Sequence, residues 1–533
     1  MNRPTGSSPT PDVPTLALRV LPDGAREDRS YSVPETPAAA WSAAGSGRRL
    51  RVARAALTAI LAVQTLLTLR RPPAVSPAEA LSLTAGDAVL SGAATGPWGV
   101  PGLAGASRAY PLLAALTDPL GGVDAARTLS LGLMLLATVL LYGLTTRLFN
   151  VRAGLCAAAL FAVLPSTAVL GGSATPEAAG LCLLAATARL LVGADRAVRW
   201  AAASAVVMTG AAVLTQYWTV LCLPGILLLA AARDAGAGRV RGRRTAVIAV
   251  VAPCVAVAAA AGLSTAGPPG GPLFPSAAGD AAPGGGVGTA TGLSLAVAAV
   301  GAGCLLVRAR MGEHPSAVVG RQAERGRRLL WIVALLLAAV APLAAARVGG
   351  AAGYGLGPSA ALVWFAAPLA GVGATRLMGR HFRFPQAGIA LWTALLCLGV
   401  PQADRWFAGD PDPARLARVM APYAAGTGTY LGVPAEVAAY QLRRTVRPGQ
   451  WSDCGGPAAG PRARASGDPL AACARAVRAG RFQMIVLDGA TRPAVQEAVR
   501  NALRGNRHYR LRAELVPYGT TPGAGYRVWA RVG

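Results

Sequence analysis

The sequence contains no lysine, so its 51 strongly basic residues are all arginines. It also has only three histidines, and two of them, His314 and His381, fall in arginine-rich loops, while the third is His508. No spacing of cysteine and histidine resembles a metal-binding motif. These absences argue against histidine-based catalysis and predict no metal centre built from cysteine and histidine.

Charged residues are scarce as well. They make up 14% of the 533 residues, whereas a soluble domain normally carries about a quarter. Hydrophobic residues reach 53%, and they occur in runs of roughly 18 or more, the length that crosses a bilayer. The composition therefore excludes an ordinary soluble domain and predicts an integral membrane protein.

The net charge of +27 is the kind of value that suggests nucleic-acid binding. Here the arginines lie mainly in short loops between apolar runs, where positive charge fixes the orientation of a membrane protein. Arginine-rich loops alternate with loops that are nearly free of charge. We therefore predict no nucleic-acid partner and a mainly α-helical, polytopic bundle of about eleven spans, with the N-terminus inside and the C-terminus outside.

Three regions follow from the same pattern. Residues 1–47 are rich in Pro, Ser, Thr and Ala and are predicted to form a disordered cytoplasmic tail. Residues 48–400 form the transmembrane domain, with a long outer loop at residues 72–108. Residues 401–533 carry more charge and shorter apolar runs, which predicts a small extracytoplasmic α/β domain. Its elements are predicted as strands at 428–432, 483–487, 509–516 and 526–531 and helices at 435–444 and 493–503.

Two cysteines, Cys454 and Cys473, are the only ones outside the apolar runs. In an oxidising outer compartment they would be able to form a disulfide; two free thiols are the alternative.

Carboxylates on the outer side are the remaining candidates for chemistry. Glu79 and Asp87 lie in the first outer loop, and Glu177 opens the fourth predicted span. A carboxylate at a membrane boundary would accept a proton from an acceptor hydroxyl or hold a divalent cation against a phosphate leaving group. The alternative is a solvated loop acid or a helix cap, and Glu177 in particular sits where an acid favours the helix dipole.

Several stretches resemble one family of membrane enzymes. The segment from Ala78 to Gly86 is similar to the pattern Asp-Glu-Ala-x-Tyr-x-x-Ala-Gly of the protein-mannosyltransferase and aminoarabinose-transferase-like superfamily. Further stretches that fit are Tyr110 to Leu116, Gly121-Gly122, Ala126-Arg127, Thr146 to Phe149, Ala158 to Ala162, Trp451, Phe482 to Asp488 and Tyr518 to Trp529.

The resemblance implies a fold, a donor and a place in the cell. It implies the C-type fold of membrane glycosyltransferases, in the cytoplasmic (plasma) membrane of a bacterium. The expected reaction is inverting transfer of a sugar from a polyprenyl-phosphate carrier to a glycan, lipid or protein acceptor on the outer face. Membrane lipid is a partner in any case.

The chain departs from the family pattern at several polar positions. Ala78 stands where the family has the aspartate credited with engaging the acceptor, and Ser82 replaces its tyrosine. Pro176-Glu177 replaces a frequent Tyr-Asp pair, and Gln216-Tyr217 replaces a Lys-Tyr pair. The first-loop acidic motif is thus degenerate, and a catalytically degenerate scaffold that binds a glycan or a partner is the alternative function.

A transporter is the third function considered. It is disfavoured, because the chain has no internal repeat and almost no charge within the predicted spans.

The resemblance and the chemistry together define the candidate site residues. The catalytic candidates are Glu79, Asp87 and Glu177. The candidates for binding the carrier phosphate or the sugar are Arg108, Arg127, Arg347, Tyr110, Gln216 and Tyr217. No metal ligands are assigned, and no cofactor is predicted apart from the divalent cation considered above. The alternative role of each arginine is ordinary anchoring at the membrane interface.

Overall fold

A computed structural model gives the structure of the chain, which forms two compact units, residues 1–52 and 53–533. It describes residues 37–70, 75–90, 109–193, 198–234, 295–303 apart from 297, 328–341, 356–378, 385–407, 413–424, 428–433, 436–446, 450–452, 469–488, 493–515 and 525–532. In the first unit, the described residues are helical.

Helices make up most of the described residues up to residue 407. They are α1 (Pro37–Leu69), α2 (Pro77–Leu90), α3 (Ala109–Gly121), α4 (Val123–Leu148), α5 (Val151–Ala162), α6 (Pro165–Gly172), α7 (Pro176–Gly193), α8 (Val198–Thr215), the 3-10 helix Tyr217–Cys222, α9 (Leu223–Asp234), α10 (Leu356–Leu377) and α11 (Pro385–Phe407). Residues 1–36 of the predicted tail lie outside the described residues, and α1 begins before the predicted boundary at residue 47.

Four of these helical stretches are long and apolar enough to cross a membrane. They are Leu50–Leu69, Val123–Leu148, Pro176–Gly193 and Gly357–Arg376. The pair α5 and α6 is bent by 66° and would give a fifth span if it crosses as one unit. Shorter apolar helices occupy Ala203–Thr215, Trp218–Ala232, Arg328–Ala341 and Ala390–Pro401. The count of eleven spans stays a prediction, because much of the chain between residues 235 and 355 lies outside the described residues.

The core of the bundle forms around α10. Trp364 and Phe365 are fully buried there, and the two rings meet edge to face with centroids 4.8 Å apart. The indole N–H of Trp364 donates to the backbone oxygen of Ala137 on α4 at 3.1 Å. A buried indole requires such an acceptor, so this bond fixes α10 against α4.

The predicted outer loop contains regular structure. Helix α2 forms within it, and the sequence supplies a start signal, because Ser76 precedes the helix by one residue and Glu79 follows three residues later. Gly86 lets α2 approach α3 closely, since a Cβ atom there would overlap the backbone oxygen of Pro111. Residues 91–108 of this loop, including Arg108, lie outside the described residues.

The C-terminal sheet region, residues 413–532, has a five-stranded mixed sheet with the order β2-β1-β3-β5-β4. Strands β2, β1 and β3 are parallel to one another, and β5 runs antiparallel to both β3 and β4. Its elements are α12 (Pro413–Met420), β1 (Tyr430–Val433), α13 (Glu436–Gln441), β2 (Trp451–Ser452), α14 (Pro469–Arg478), β3 (Met484–Asp488), α15 (Pro493–Leu503), β4 (Tyr509–Leu515) and β5 (Tyr526–Arg531).

The predicted elements of this region lie close to those in the structure. Four strands begin and end within two residues of the predicted bounds, and α15 coincides with the helix predicted at 493–503. Strand β2 and helix α14 had no counterpart among the predicted elements. Cys473 on α14 is disulfide-bonded, while Cys454 lies outside the described residues, so the pairing of the two stays a prediction.

The two faces of the sheet pack against different partners. Tyr430, Met484 and Val528 alternate onto one face and join a buried cluster with residues of α2 and α3. Leu431 and Ile485 point to the opposite face and pack against α14 and α15. Because side chains alternate along a strand, α2 and α3 lie on one side of the sheet and α14 and α15 on the other.

Candidate functional site

Glu79 sits in the first turn of α2 and forms a capping box with Ser76. The Ser76 hydroxyl oxygen accepts from the backbone N–H of Glu79 at 3.3 Å. In return, Glu79 Oε2 accepts from the backbone N–H of Ser76 at 2.9 Å. Each residue thus satisfies a backbone donor that the start of a helix leaves without a partner.

The same carboxylate holds a buried arginine. Arg127 Nε donates to Glu79 Oε1 at 2.7 Å, and Arg127 Nη2 donates to Oε2 at 2.8 Å. The two side chains are only 4% and 2% exposed, respectively. The backbone N–H of Ala174 adds a further bond to Glu79 Oε1 at 2.8 Å. Both oxygens therefore accept two bonds each, and α2, α4 and the turn before α7 meet at this carboxylate.

This geometry also determines what Arg127 offers a ligand. Its charge is balanced by Glu79 and lies 3.5 Å from Asp124. A guanidinium group that is already paired with a carboxylate in this way has few N–H donors left for a phosphate. Next to Glu79, Ala78 is exposed, at the position where the family pattern has its aspartate, and the Ser82 hydroxyl donates to the Ala78 oxygen at 2.9 Å.

Glu177 has a different environment, although it lies only three residues beyond Ala174. It is in the first turn of α7, and its Oε2 atom is buried without a hydrogen-bond partner among the described residues. Its Cγ atom lies 2.9 Å from the point where a Cβ atom on Gly357 would be. The start of α10 therefore packs directly against this carboxylate, and only glycine leaves the room.

Trp218 lies at the same place. Its Nε1 and Cζ2 atoms are also 2.9 Å from the Cβ position of Gly357. The side chain is 5% exposed, and Nε1 has no partner within the described part of the chain. The buried hydroxyl of Thr175 lies beside the Glu177 carboxylate. A carboxylate acceptor, an indole donor and a hydroxyl group thus lie close together, and we call Glu177, Trp218 and Thr175 the polar cluster.

Gln216 packs beside this cluster. Its Cβ and Cγ atoms are 3.2 Å from the Cβ position of Gly180, which lies one turn along α7 from Glu177. The backbone of Tyr217 begins the 3-10 helix that carries Trp218, but the Tyr217 side chain lies outside the described residues, as does Arg347.

Tyr110 lies near enough to both glutamates to be affected by their charges. Its hydroxyl group is 2.8 Å from the hydroxyl of Ser130, and the side chain is fully buried. Burial raises the pKa of Tyr110, and the nearby charges of Glu177 and Glu79 raise it further, against the hydrogen bond with Ser130. The phenol therefore stays protonated.

Asp87 belongs to a separate cluster that joins the sheet region to α2 and α3. Arg443 Nη2 lies 2.7 Å from Asp118 Oδ2, and Arg443 Nε lies 3.8 Å from Asp87 Oδ2. The Tyr440 hydroxyl donates to Asp118 Oδ1 at 2.9 Å. Burial and the charge of Asp118 raise the pKa of Asp87, and Arg443 opposes them. Asp87 thus stands with Arg443 rather than with Glu79 or Glu177.

The site contains residues that the sequence did not single out. Trp218 and Gly357 had no motif that marked them, because their importance comes from packing between distant elements. Among the described residues, no three His, Cys, Asp or Glu side chains converge as a metal site would require. The described residues around Glu177 therefore do not by themselves form a metal site.

Part of the chain matches the model of a known protein family. Residues 111–261 match the family described as dolichyl-phosphate-mannose-protein mannosyltransferase. No curated protein sequence matches the chain significantly. The chain has helices that are long and apolar enough to cross a membrane, and the polar cluster lies at the start of one of them, α7. It is thus a membrane-embedded protein with a buried polar site.

Solved structures share the fold of most of the chain. ArnT from Cupriavidus metallidurans bound to undecaprenyl phosphate has a TM-score of 0.53 and 14% identity, covering 90% of this chain and 97% of that one. The apo oligosaccharyltransferase of Archaeoglobus fulgidus has a TM-score of 0.52 and 12% identity, covering 82% and 69%. The chain therefore shares the fold of these two structures, and part of it, residues 111–261, matches the model of the mannosyltransferase family.

Proposed function

We propose that the protein transfers a sugar from a polyprenyl-phosphate carrier to an acceptor on the outer face of the cytoplasmic membrane, with Glu177 as the catalytic carboxylate. The observation that carries this proposal is the buried, unpartnered Oε2 atom of Glu177. Burying a carboxylate oxygen without a hydrogen bond costs stability. Such groups persist where a ligand supplies the missing partner.

The chemistry assigned to Glu177 is that of a general base. An acceptor hydroxyl attacks the anomeric carbon of the sugar, and its proton passes to Glu177. The bond between the anomeric carbon and the phosphate oxygen breaks, and polyprenyl phosphate leaves with the bonding electrons. Attack opposite the leaving group inverts the anomeric centre. A positioned base of this kind contributes about 10²–10⁴-fold to a rate.

Trp218 supplies the donor that complements this base. Its unpartnered N–H group is suited to a phosphate oxygen or a sugar hydroxyl beside Glu177. Gln216, packed against the same turn of α7, stands where the family pattern has a lysine and offers an amide donor without a charge. The proposed reaction includes no step at a metal ion, because the described residues around Glu177 provide no set of metal ligands.

Glu79 and Arg127 have a positioning role in this proposal. Their bonds to each other and to the backbone of Ala174 hold the turn that leads into Glu177. Both oxygens of Glu79 are already engaged by four hydrogen bonds, so neither is free to contact an acceptor hydroxyl. With Ala78 where the family pattern has an aspartate, Glu177 remains as the base, and Asp87 lies at the contact with the sheet region.

The remaining parts of the proposal concern topology and substrates. About eleven spans and an outward-facing sheet region agree with the arginine-rich loops predicted to be cytoplasmic. The bound undecaprenyl phosphate of the similar ArnT structure supports a lipid-linked sugar as donor, and the acceptor is a glycan, a lipid or a protein.

The test is sugar transfer by purified protein in proteoliposomes supplied with a panel of labelled polyprenyl-phosphate sugars. We expect Glu177→Gln to reduce turnover at least about a hundredfold without loss of carrier binding, measured with tritiated undecaprenyl phosphate. Glu497→Gln, the same change at an exposed glutamate on α15, is the matched control and should leave turnover unchanged. Wild-type turnover by Glu177→Gln would refute the assignment.

A catalytically degenerate scaffold is the second candidate. The observations that favour it are the exposed Ala78 in place of an aspartate and the saturated carboxylate of Glu79. This candidate predicts that the wild type binds the carrier and transfers no sugar from any donor of the panel. Donor-dependent transfer by the wild type would exclude it.

A further inference from the structure

One end of the C-terminal sheet carries a concentration of exposed arginines. Helix α14 leads into β3 and helix α15 leads into β4, and these two strands point the same way because both are antiparallel to β5. The C-terminal ends of both helices therefore meet at the same end of the sheet. We call this set the basic end; it consists of Arg475, Arg478, Arg481, Arg500, Arg504, Arg507 and Arg510, all exposed.

Direct contacts confirm that the two helix-to-strand turns are neighbours. The Asn506 side-chain amide donates to the backbone oxygen of Val477 at 3.0 Å. The backbone N–H of Phe482 donates to the Tyr509 hydroxyl at 3.0 Å. The arginines that follow α14 and those that follow α15 thus belong to one surface.

The basic end has little compensating charge. Within the described residues, none of its arginines forms an ion pair with a carboxylate. Glu497 is the one exposed acid in residues 469–488 and 493–510, because Asp488 is buried. Stabilisation of a helix C-terminus explains arginines in a last turn, but Arg481 and Arg507 lie beyond the helices. The repulsion among these charges would be relieved by an anionic partner.

We propose that the basic end is a docking surface for an anionic polysaccharide. Clusters of arginine bind such polymers through their repeated charges. Single-stranded nucleic acid needs aromatic platforms for its bases as well, and the two aromatic side chains of these segments, Phe482 and Tyr509, are both buried. Helices α14 and α15 lie on the sheet face opposite α2 and α3, which disfavours the adjacent bilayer as the partner.

The spacing of the arginines suits a linear polymer. Arg475 and Arg478 lie in the last turn of α14, Arg500 lies in the last turn of α15, and Arg504 and Arg507 follow in the turn beyond that helix. These two groups at one end of the sheet offer repeated contacts to successive acidic groups of a chain. Binding at this surface is independent of whether Glu177 catalyses transfer.

The experiment measures binding of fluorescent polygalacturonate to the full-length protein in phosphatidylcholine nanodiscs, with neutral dextran as the negative probe. We expect salt-sensitive binding by the wild type, and a loss of at least about tenfold in affinity when Arg478, Arg504 and Arg507 are all changed to Glu. Changing the same three residues to Lys should keep most of the affinity.

A matched control changes three exposed arginines elsewhere, Arg51, Arg54 and Arg415, to Glu and should bind like the wild type. Equal losses in both triple variants, no binding by the wild type, or tighter binding of an equally charged single-stranded DNA would overturn the proposal. Glu177→Gln should bind the polysaccharide normally, so this test and the test of sugar transfer can fail separately.

Discussion

Replacing Glu79 by glutamine should destabilise the protein far more than the same replacement at Glu177. Glutamine keeps one acceptor oxygen at position 79 but presents an amide N–H group to the donors of Arg127 or Ala174. It also leaves the guanidinium of Arg127, whose side chain is 4% exposed, without its balancing charge. Removing one partner of a buried ion pair costs about 3–5 kcal/mol, a shift of more than about a hundredfold in the folding equilibrium.

Glu177→Gln is expected to change the free energy of unfolding little or to raise it, unlike Glu79→Gln. The oxygen that glutamine replaces has no hydrogen bond among the described residues, so loss of the charge removes a desolvation cost and sacrifices little. We expect the free energy of unfolding to stay within about 1 kcal/mol of the wild type or to rise. Glu79→Gln is thus expected to lower mainly stability, and Glu177→Gln mainly activity.

The assay is equilibrium unfolding in mixed detergent micelles, followed by tryptophan fluorescence. A double variant, Glu79→Leu with Arg127→Met, removes both charges and should recover most of the stability lost in Glu79→Gln. The reasoning is refuted if Glu79→Gln unfolds within about 1 kcal/mol of the wild type, or if Glu177→Gln is the less stable of the two.

Two further predictions concern packing and the sheet contact. Gly357→Ala should lower turnover at least about tenfold, because the added methyl group displaces the carboxylate and the indole that lie against it. The control is Gly132→Ala, where an added Cβ meets nothing within 4 Å, and it should leave turnover unchanged. Equal rates for the two variants would contradict the prediction. Asp118→Asn should loosen α13 from α2 and α3, seen as faster hydrogen exchange, because it weakens the 2.7 Å contact with Arg443. Asp87→Asn should leave stability at neutral pH unchanged or raise it. The raised pKa of Asp87 means that the folded state favours the protonated carboxyl group, a contribution to stability that is present at low pH and is lost as the pH rises through that pKa. Marked destabilisation by Asp87→Asn at neutral pH would count against this reasoning.

The sequence predicts the architecture better than the site. The pattern of apolar and polar residues, together with the flanking turn residues, locates β3, β4, β5 and α15 within two residues, because these signals lie in the segment itself. The arginine-rich loops between apolar runs are also a local signal, and they indicate a membrane protein. Helix α2 was missed within the outer loop, although Ser76 and Glu79 form the spacing of a capping box.

The roles of the acidic residues depend on contacts that a sequence does not encode locally. Glu79 and Arg127 are 48 residues apart, and Asp118 and Arg443 are 325 apart. Which carboxylate becomes saturated and which keeps a free oxygen is decided by these distant partners. The first-loop motif therefore directed attention to Glu79, while Trp218 and Gly357 became visible only through packing around Glu177.

Chemical rescue tests the assignment of Glu177 most directly. Replacing Glu177 by alanine removes the base and leaves space beside Trp218 for a small carboxylate. We predict that Glu177→Ala transfers sugar at least about a hundredfold more slowly than the wild type, and that added formate restores part of the rate in proportion to its concentration. Wild-type transfer by Glu177→Ala in the absence of formate would contradict the account.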